Sequence, residues 1–419
     1  MQKLRLPTCE GIESAQKRLE GISVFTPLQN NKQLSEKYKC NIFLKREDLQ
    51  LVRSYKIRGA YNFMCQLNSL QKSNGVICAS AGNHAQGFAY SCKLLNVQGI
   101  VVMPATTPKQ KIRAVQRLGE GNVQIVLQGD TYDDAKHAAV RLAKAGGYTF
   151  VPPFDAPEII EGQGTVALEI LQQLKQKQPD YIIVPIGGGG LAAGIITWCK
   201  THSPHTKVIG IEPLGAPAMQ QSIEKNKVVT LPEIDNFVDG AAVKQVGHLT
   251  FEICKDNLYK MILVPEGKIC TNILYLYNND AIVAEPAGAL SISALDSLRE
   301  VIEGKTVVCI LSGGNNDIER MPEIKERSQL YEGLKHYFII KFPQRSGALK
   351  EFVNKVLGHD DDITLFEYTK KNSKESGPAL VGIELKQPED FQPLLDRMKK
   401  TGIQFTIVNE NPILYNFLI

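Results

Sequence analysis

YIIVPIGGGGLAAGIITW, residues Tyr181 to Trp198, decides between two kinds of molecule. Read as one apolar run, it is long enough to cross a bilayer. Pro185 and the consecutive glycines Gly187 to Gly190 break such a helix in its first half, however, and open backbone is not tolerated against lipid. The remaining reading is a buried strand, YIIVPI, a glycine turn and a helix beginning LAAGIITW, with no membrane span.

Working outward, apolar β-branched runs of the same kind recur with helix-like segments between them. They are NIFLKRE (Asn41 to Glu47), GVICAS (Gly75 to Ser80), GIVVMP (Gly99 to Pro104), QIVLQG (Gln124 to Gly129), KVIGIE (Lys207 to Glu212) and TVVCILSG (Thr306 to Gly313). Continuous apolar strands alternating with helices mark a parallel sheet covered on both faces, so the fold class is α/β, doubly wound. After Gly314 the pattern changes. NNDIERMPEIKERSQLYEG reads as a final helix or linker, and the chain from about His336 onward gives strand, helix, strand, strand, helix, strand: HYFIIKFP, ALKEFVNKVL, ITLFEYTKK, ALVGIELK, PEDFQPLLDRMKKTG and FTIVN. That order is βαββαβ, a ferredoxin-like α+β unit with nothing catalytic in it.

At 419 residues the chain is too long for one ordinary core, and 43% apolar with 22% charged residues excludes a disordered or collagen-like molecule. A net charge of +4 with interspersed signs offers no basic stripe for nucleic acid and no polybasic membrane anchor. Small-molecule partners are expected. The nine cysteines are scattered, with no C-x-x-C or His/Cys spacing, so reduced cytosolic thiols are expected rather than disulfides or a metal site. MQKLRLPTCEG lacks an apolar signal core, which fits a cytoplasmic location.

Ligands bind beyond the carboxyl ends of strands in open α/β sheets, and four strand-to-helix junctions carry special residues. After KREDL, apolar Ile57, Ala60, Tyr61, Met64 and Leu67 recur at helical spacing, which makes Ser54 the expected N-cap and puts Lys56 in the first turn. The positive helix end and partial burial disfavour an ammonium there, and a neutral amine is what a Schiff-base lysine needs. After GVICA, Ser80-Ala81-Gly82-Asn83-His84 forms a nest of backbone N–H groups suited to a carboxylate, although an ordinary capped turn reads the same way. Gly187 to Gly190 lets the backbone close on a phosphate at a helix N-terminus. The same turn satisfies G-x-G-x-x-A through Gly187, Gly189 and Ala192, with Glu212 ending the next strand, so a dinucleotide-dependent oxidoreductase remains a rival. The fourth junction, Leu311 to Asn315, offers Ser312 as an uncharged partner for a heteroaromatic nitrogen, or merely as a turn residue.

At these junctions the chain resembles the threonine dehydratases of the fold-type II pyridoxal-phosphate enzymes, through KREDLQLVRSYKIRGAYN, SAGNHAQGFA, GGGGLAAG, EPAGAL and LSGGN. The C-terminal quarter resembles the ACT-like regulatory domain of the biosynthetic, isoleucine-sensitive members, through FPQRSGAL, ITLFEY and LVGIEL, present once. The resemblance implies a catalytic region at residues 1–325 with a smaller subdomain at roughly 50–158, a linker at 326–335 and a regulatory domain at 336–419. It implies that Lys56 carries pyridoxal 5'-phosphate covalently, Tyr55 packs beside its ring, and Asn83 holds its phenolic oxygen. Gly187, Gly188, Gly189 and Gly190 would hold the phosphate, Ser312 would face the ring nitrogen, and Glu285 would stand near the ring. Ser80, Gly82 and His84, with Ala81 and Asn83 in the same loop, would take the substrate carboxylate. Related serine racemases bind a divalent metal through the position of Glu212, but Ala218 stands where they have an aspartate and no metal is expected. They also place an acid serine where this chain has Ala81, so elimination is expected over racemisation.

The implied reaction is conversion of L-threonine to 2-oxobutyrate and ammonia, the first step of isoleucine biosynthesis. L-isoleucine would act as allosteric inhibitor at a turn that includes Arg345, Ser346 and Gly347, in a homo-oligomer, tetramer or dimer. A catabolic serine/threonine dehydratase and a non-catalytic amino-acid sensor are the alternatives.

Overall fold

The computed structural model describes residues 5–175, 177–368 and 375–419. The extreme N-terminus, residues 1–4, and the end of the expected strand ITLFEYTKK, residues 369–371, lie outside the described residues. The chain divides into two compact units at Ile318/Glu319. No helix among the described residues is long and apolar enough to cross a membrane, and Tyr181 to Trp198 is indeed strand, glycine turn and helix.

The strands of the first unit are Leu28–Asn30 (β1), Asn41–Arg46 (β2), Val76–Ala79 (β3), Gly99–Met103 (β4), Val123–Leu127 (β5), Thr149–Phe150 (β6), Tyr181–Pro185 (β7), Lys207–Pro213 (β8), Lys260–Val264 (β9) and Thr306–Leu311 (β10). They form a six-stranded sheet, β1-β2-β10-β7-β8-β9, and a four-stranded sheet, β5-β4-β3-β6. Among the described residues only the β1–β2 strand pair of these sheets is antiparallel. Every residue of β3 and β7 is buried, as strands covered by helices on both faces require. Three strands escape the sequence reading: β1 and β6 are too short to carry a pattern, and β9 is a half-buried edge.

The helix Pro157–Gln173 organises this unit. It meets the helix Lys56–Cys65 backbone to backbone, since a Cβ on Gly162 would stand 2.5 Å from Arg58 O and one on Gly59 2.9 Å from Ile159 O. It meets the helix Gly190–His202 in the same way, where a Cβ on Gly194 would stand 2.5 Å from Ile160 O. Glycine at these crossings lets one central helix hold the two helices that lead out of the Lys56 turn and the tetraglycine turn.

The second unit contains Lys335–Pro343 (β11), Asp362–Tyr368 (β12), Ser376–Glu384 (β13) and Phe405–Ile407 (β14) in the antiparallel order β12-β13-β11-β14. With helices Ala348–Lys355 and Phe391–Lys400 this is the ferredoxin-like order, and Phe338, Ile340, Phe352, Val381, Leu394 and Met398 fill its core. Residues 326–335, expected as a linker, complete the helix Met321–Tyr331 and start β11. The reason is packing: Ile324 and Ser328 are buried, and Glu326 accepts hydrogen bonds from Lys335 Nζ (2.5 Å) and the Tyr337 hydroxyl.

Candidate active site

The four junctions sit at the carboxyl ends of β2, β3, β7 and β10, and all four reach one cavity of about 680 Å³ in the first unit, the fourth through Asn315 alone. Its wall includes Tyr55, Lys56, Ser80 to His84, Gly187 to Gly190, Glu285 and Asn315.

Lys56 is the first residue of the helix Lys56–Cys65. Ser54 is not the cap. It is drawn into an antiparallel bridge with Gly313, while Tyr55 N–H donates to Ser312 O (3.2 Å) and Gly314 N–H to Arg53 O (2.9 Å). This stitching to the Ser312 loop, with Arg53 at φ 57°, replaces a side-chain cap and fixes the turn. Gly87, inside the neighbouring helix Asn83–Leu95, completes the fit, because a Cβ there would stand 3.1 Å from Lys56 C. Lys56 Nζ donates to Pro153 O at 3.0 Å and lies 5.3 Å from the centre of the Tyr55 ring. Burial lowers its pKa to about 8, against the opposing charge of Glu285. The amine is therefore far easier to deprotonate than a surface lysine.

Behind the Lys56 helix lies a buried ion cluster with no periodicity to announce it. Arg58 Nη1 and Nη2 reach Glu169 at 2.6 and 2.9 Å, Arg58 Nε and Nη2 reach Glu47 at 2.8 Å each, and Lys45 Nζ reaches Glu169 at 2.6 Å. All four side chains are at most 1% exposed. Charges so buried survive only when paired and hydrogen-bonded, and these balance two against two.

In the second junction Ser80 Oγ accepts from Gly82 N–H (3.2 Å), and the helix starts at Asn83 without a side-chain cap. Its first N–H groups therefore remain for a ligand. The His84 ring contributes less than the resemblance implies. It is 4% exposed, its Nε2 is engaged with Val151 O at 3.0 Å, and burial with the neighbouring Lys56 charge lowers its pKa to about 3. A neutral ring leaves the backbone N–H groups of the loop as what it offers a carboxylate.

The tetraglycine turn cannot carry side chains. A Cβ on Gly188 would lie 2.1 Å from the Phe154 ring and one on Gly187 3.0 Å from Ala241 Cα, while Gly189 sits at φ +93°. From behind, Thr250 Oγ1 (2.6 Å) and Gly247 N–H (3.2 Å) donate to Gly188 O, and the Asp155 carboxylate accepts from the N–H groups of His248, Leu249 and Thr250. The turn's carbonyl is thus held outward, and the Gly190 helix end faces the cavity with its positive pole. Phe154 and Asp155 were invisible as site residues in the sequence, where PPFDAP reads only as a loop.

Glu285 begins the helix Pro286–Ser293. Its Oε1 accepts from Asn83 Nδ2 at 2.6 Å, and burial together with the Asp239 charge raises its carboxyl to about 7. Gly313 makes room for it, since a Cβ there would stand 2.3 Å from Oε1. Ser312 is brought close but lies behind the wall: it is 1% exposed, its hydroxyl donates to Ala287 O (3.2 Å), and it is not among the described residues lining the cavity. Glu212 is away from the cavity altogether. It accepts from Met219 and Gln220 N–H at 2.7 and 2.9 Å, and burial raises its carboxyl to about 8. An acid committed to a helix start cannot hold a ribose, which removes the dinucleotide rival. Among the described residues no group of His, Cys, Asp and Glu could hold a metal ion.

A second, smaller cavity of about 100 Å³ lies in the second unit, lined by Phe342, Pro343, Arg345, Ala348, Phe352 and Ile403 among others. Arg345 is on its wall with its guanidinium paired to Glu351. Ser346 and Gly347 are not among the lining residues, although Gly347, at φ 82°, shapes the helix start beside them.

Residues 21–313 match the family described as pyridoxal-phosphate dependent enzyme, and residues 326–418 match the C-terminal regulatory domain of threonine dehydratase. The chain is 56% identical to the L-threonine dehydratase biosynthetic IlvA of Halalkalibacterium halodurans, over 98% of this chain and 99% of that one. It is 54% identical to the protein of the same name from Bacillus subtilis, over 97% and 96%. Among solved structures, the processed form of threonine deaminase isoform 2 from Solanum lycopersicum superposes with a TM-score of 0.71 at 38% identity, over 78% of this chain and 96% of that one.

Proposed function

The chain belongs to the pyridoxal-phosphate-dependent enzymes of the threonine dehydratase family, with that family's C-terminal regulatory domain, and on this premise we propose that it converts L-threonine to 2-oxobutyrate and ammonia under feedback inhibition by L-isoleucine. The observation that carries the catalytic part is a buried amine of lowered pKa, Lys56, in one cavity with a glycine turn that presents N–H groups and tolerates no side chain.

These residues fit pyridoxal phosphate. The turn Gly187 to Gly190 would hold the phosphate, Lys56 would bond to the aldehyde carbon, Asn83 would meet the phenolic oxygen and Tyr55 would flank the ring. When bound, the cofactor supplies an electron sink for the bonds at the substrate's α-carbon. The Lys56 amine, when free, would take the proton from the substrate's α-carbon, a general-base task suited to a buried lysine whose pKa is lowered to about 8. The N–H groups at the start of the Asn83 helix hold the substrate carboxylate, and Ala81 places no second acid on the opposite side, so loss of the β-hydroxyl as water wins over return of the proton.

The apolar cavity of the second unit, bounded by Phe342, Phe352 and Ile403 with Arg345 at its edge, supports an aliphatic amino acid as effector. The test is 2-oxoacid formation from L-threonine by the purified protein across a titration with L-isoleucine. Turnover that falls as isoleucine rises supports both halves of the proposal. Turnover indifferent to isoleucine removes the feedback half, and turnover of L-serine alone removes threonine as the substrate.

A further inference from the structure

Asn315 has no part in the reactions above, yet it joins three elements of the site. Its Nδ2 donates to Asn83 Oδ1 at 2.7 Å and to Val52 O at 2.9 Å. Val52 belongs to the turn that leads into Lys56, and Asn83 Nδ2 donates onward to Glu285 Oε1 at 2.6 Å. A side-chain amide can turn end over end at little steric cost, so its sense is set by its partners. Here both ends are claimed. The Nδ2 of Asn315 only donates, which draws the oxygen of Asn83 to itself, and the nitrogen of Asn83 is then the atom that meets Glu285 Oε1. One N–H of Asn83 is left over, on a residue that lines the cavity.

We propose that Asn315 is a positioning residue: through its bond to Oδ1 it fixes the sense of the Asn83 amide so that a nitrogen, not an oxygen, meets the electron-rich oxygen of the cofactor, and through Val52 O it ties that amide to the turn that aims Lys56. The proposal rests on the reading of Asn83 as a cofactor contact. Asn315→Asp keeps the size of the side chain but removes the donor. The Asn83 amide then turns to donate to the new carboxylate and presents its oxygen to the cofactor, an acceptor–acceptor contact in place of a hydrogen bond.

The experiment is a double-mutant cycle of Asn83→Ala and Asn315→Asp, read by the dissociation constant of pyridoxal phosphate, by the absorption spectrum of the bound cofactor and by kcat/KM. N315D is expected to weaken cofactor binding and to lower kcat/KM, each by about tenfold, the worth of one hydrogen bond to a charged group, and to shift the absorption maximum. In the N83A background the same change is expected to have almost no further effect. A residue that merely held the loop would lower the melting temperature without moving the spectrum. If N83A alters neither affinity nor spectrum, the reading of Asn83 fails and the proposal falls with it. If N83A alters both and N315D neither, or if the N315D effect persists undiminished beside N83A, the reading of Asn83 stands and Asn315 does not act through it. Should N315D not fold, Asn315→Ala removes the same donor without adding charge and completes the same cycle.

Discussion

Lys56 and His84 are buried beside each other and both are held towards neutrality, with opposite consequences for experiment. Because the Lys56 amine must be free to bond the aldehyde, capture of cofactor by the apoenzyme should accelerate as pH rises through about 8 and then level off, measurable by stopped-flow absorbance. Lys56→Ala should abolish both capture of the aldehyde and turnover, and near-normal turnover would remove Lys56 from its assigned role. For His84 the folded pKa of about 3 lies below the unfolded value, so the unfolded chain binds the extra proton first. Between about pH 6.5 and 3 stability should therefore fall by roughly 1.4 kcal/mol for each pH unit, and His84→Asn should flatten that acid limb in denaturant titrations. The cluster of Lys45, Glu47, Arg58 and Glu169 makes a further residue-scale case. Glu169→Ala leaves two buried cations facing one carboxylate, and should cost about 3–5 kcal/mol in urea unfolding, as loss of one partner from a buried pair does. The motif KRED announced charges at the end of a strand, but the partner of Lys45 is Glu169, more than a hundred residues away in the chain, and that of Glu47 is Arg58.

At the scale of elements, the strand-to-helix turns were legible because glycine, proline and apolar runs state local geometry directly, and the turns after β3 and β7 appear where the pattern puts them. The Lys56 turn was located correctly but capped wrongly. Ser54 followed by a helical pattern is a local signal, and pairing with Gly313 overrode it. The helix crossings were equally hidden, since Gly59, Gly162, Gly164 and Gly194 look like interruptions until their partners are known. A Cβ on Gly194 would stand 2.5 Å from Ile160 O and 2.6 Å from Gly164 N, backbone atoms that cannot step aside without moving a helix. Gly194→Ala should therefore cost about 1–3 kcal/mol, as overpacking does, and should also weaken cofactor affinity because the helix behind the tetraglycine turn shifts. Thermal melting of the apoenzyme and cofactor titration separate the two effects.

For the whole molecule, the division at Ile318/Glu319 leaves the main cavity and the large hydrophobic core in the first unit and the small cavity in the second, with a core of its own. A chain ended after Ile318 is expected to bind pyridoxal phosphate and deaminate L-threonine without responding to L-isoleucine, and absence of cofactor binding in a folded truncated chain would show that the first unit is not sufficient. Fold class, the strand-turn-helix units and the places of Lys56 and Gly187 to Gly190 at two of their turns were legible in the sequence, because periodicity and the conformational limits of glycine and proline act within a few residues. Tertiary structure alone decided that Ser312 stands behind the cavity wall, that Glu212 caps a helix instead of meeting a ligand, that the expected linker is a packed helix, and that Asn315 holds Asn83. Each of these depends on a hydrogen bond or a packed face supplied by another element, and a partner brought in by folding leaves no mark on the local pattern of the residue it completes.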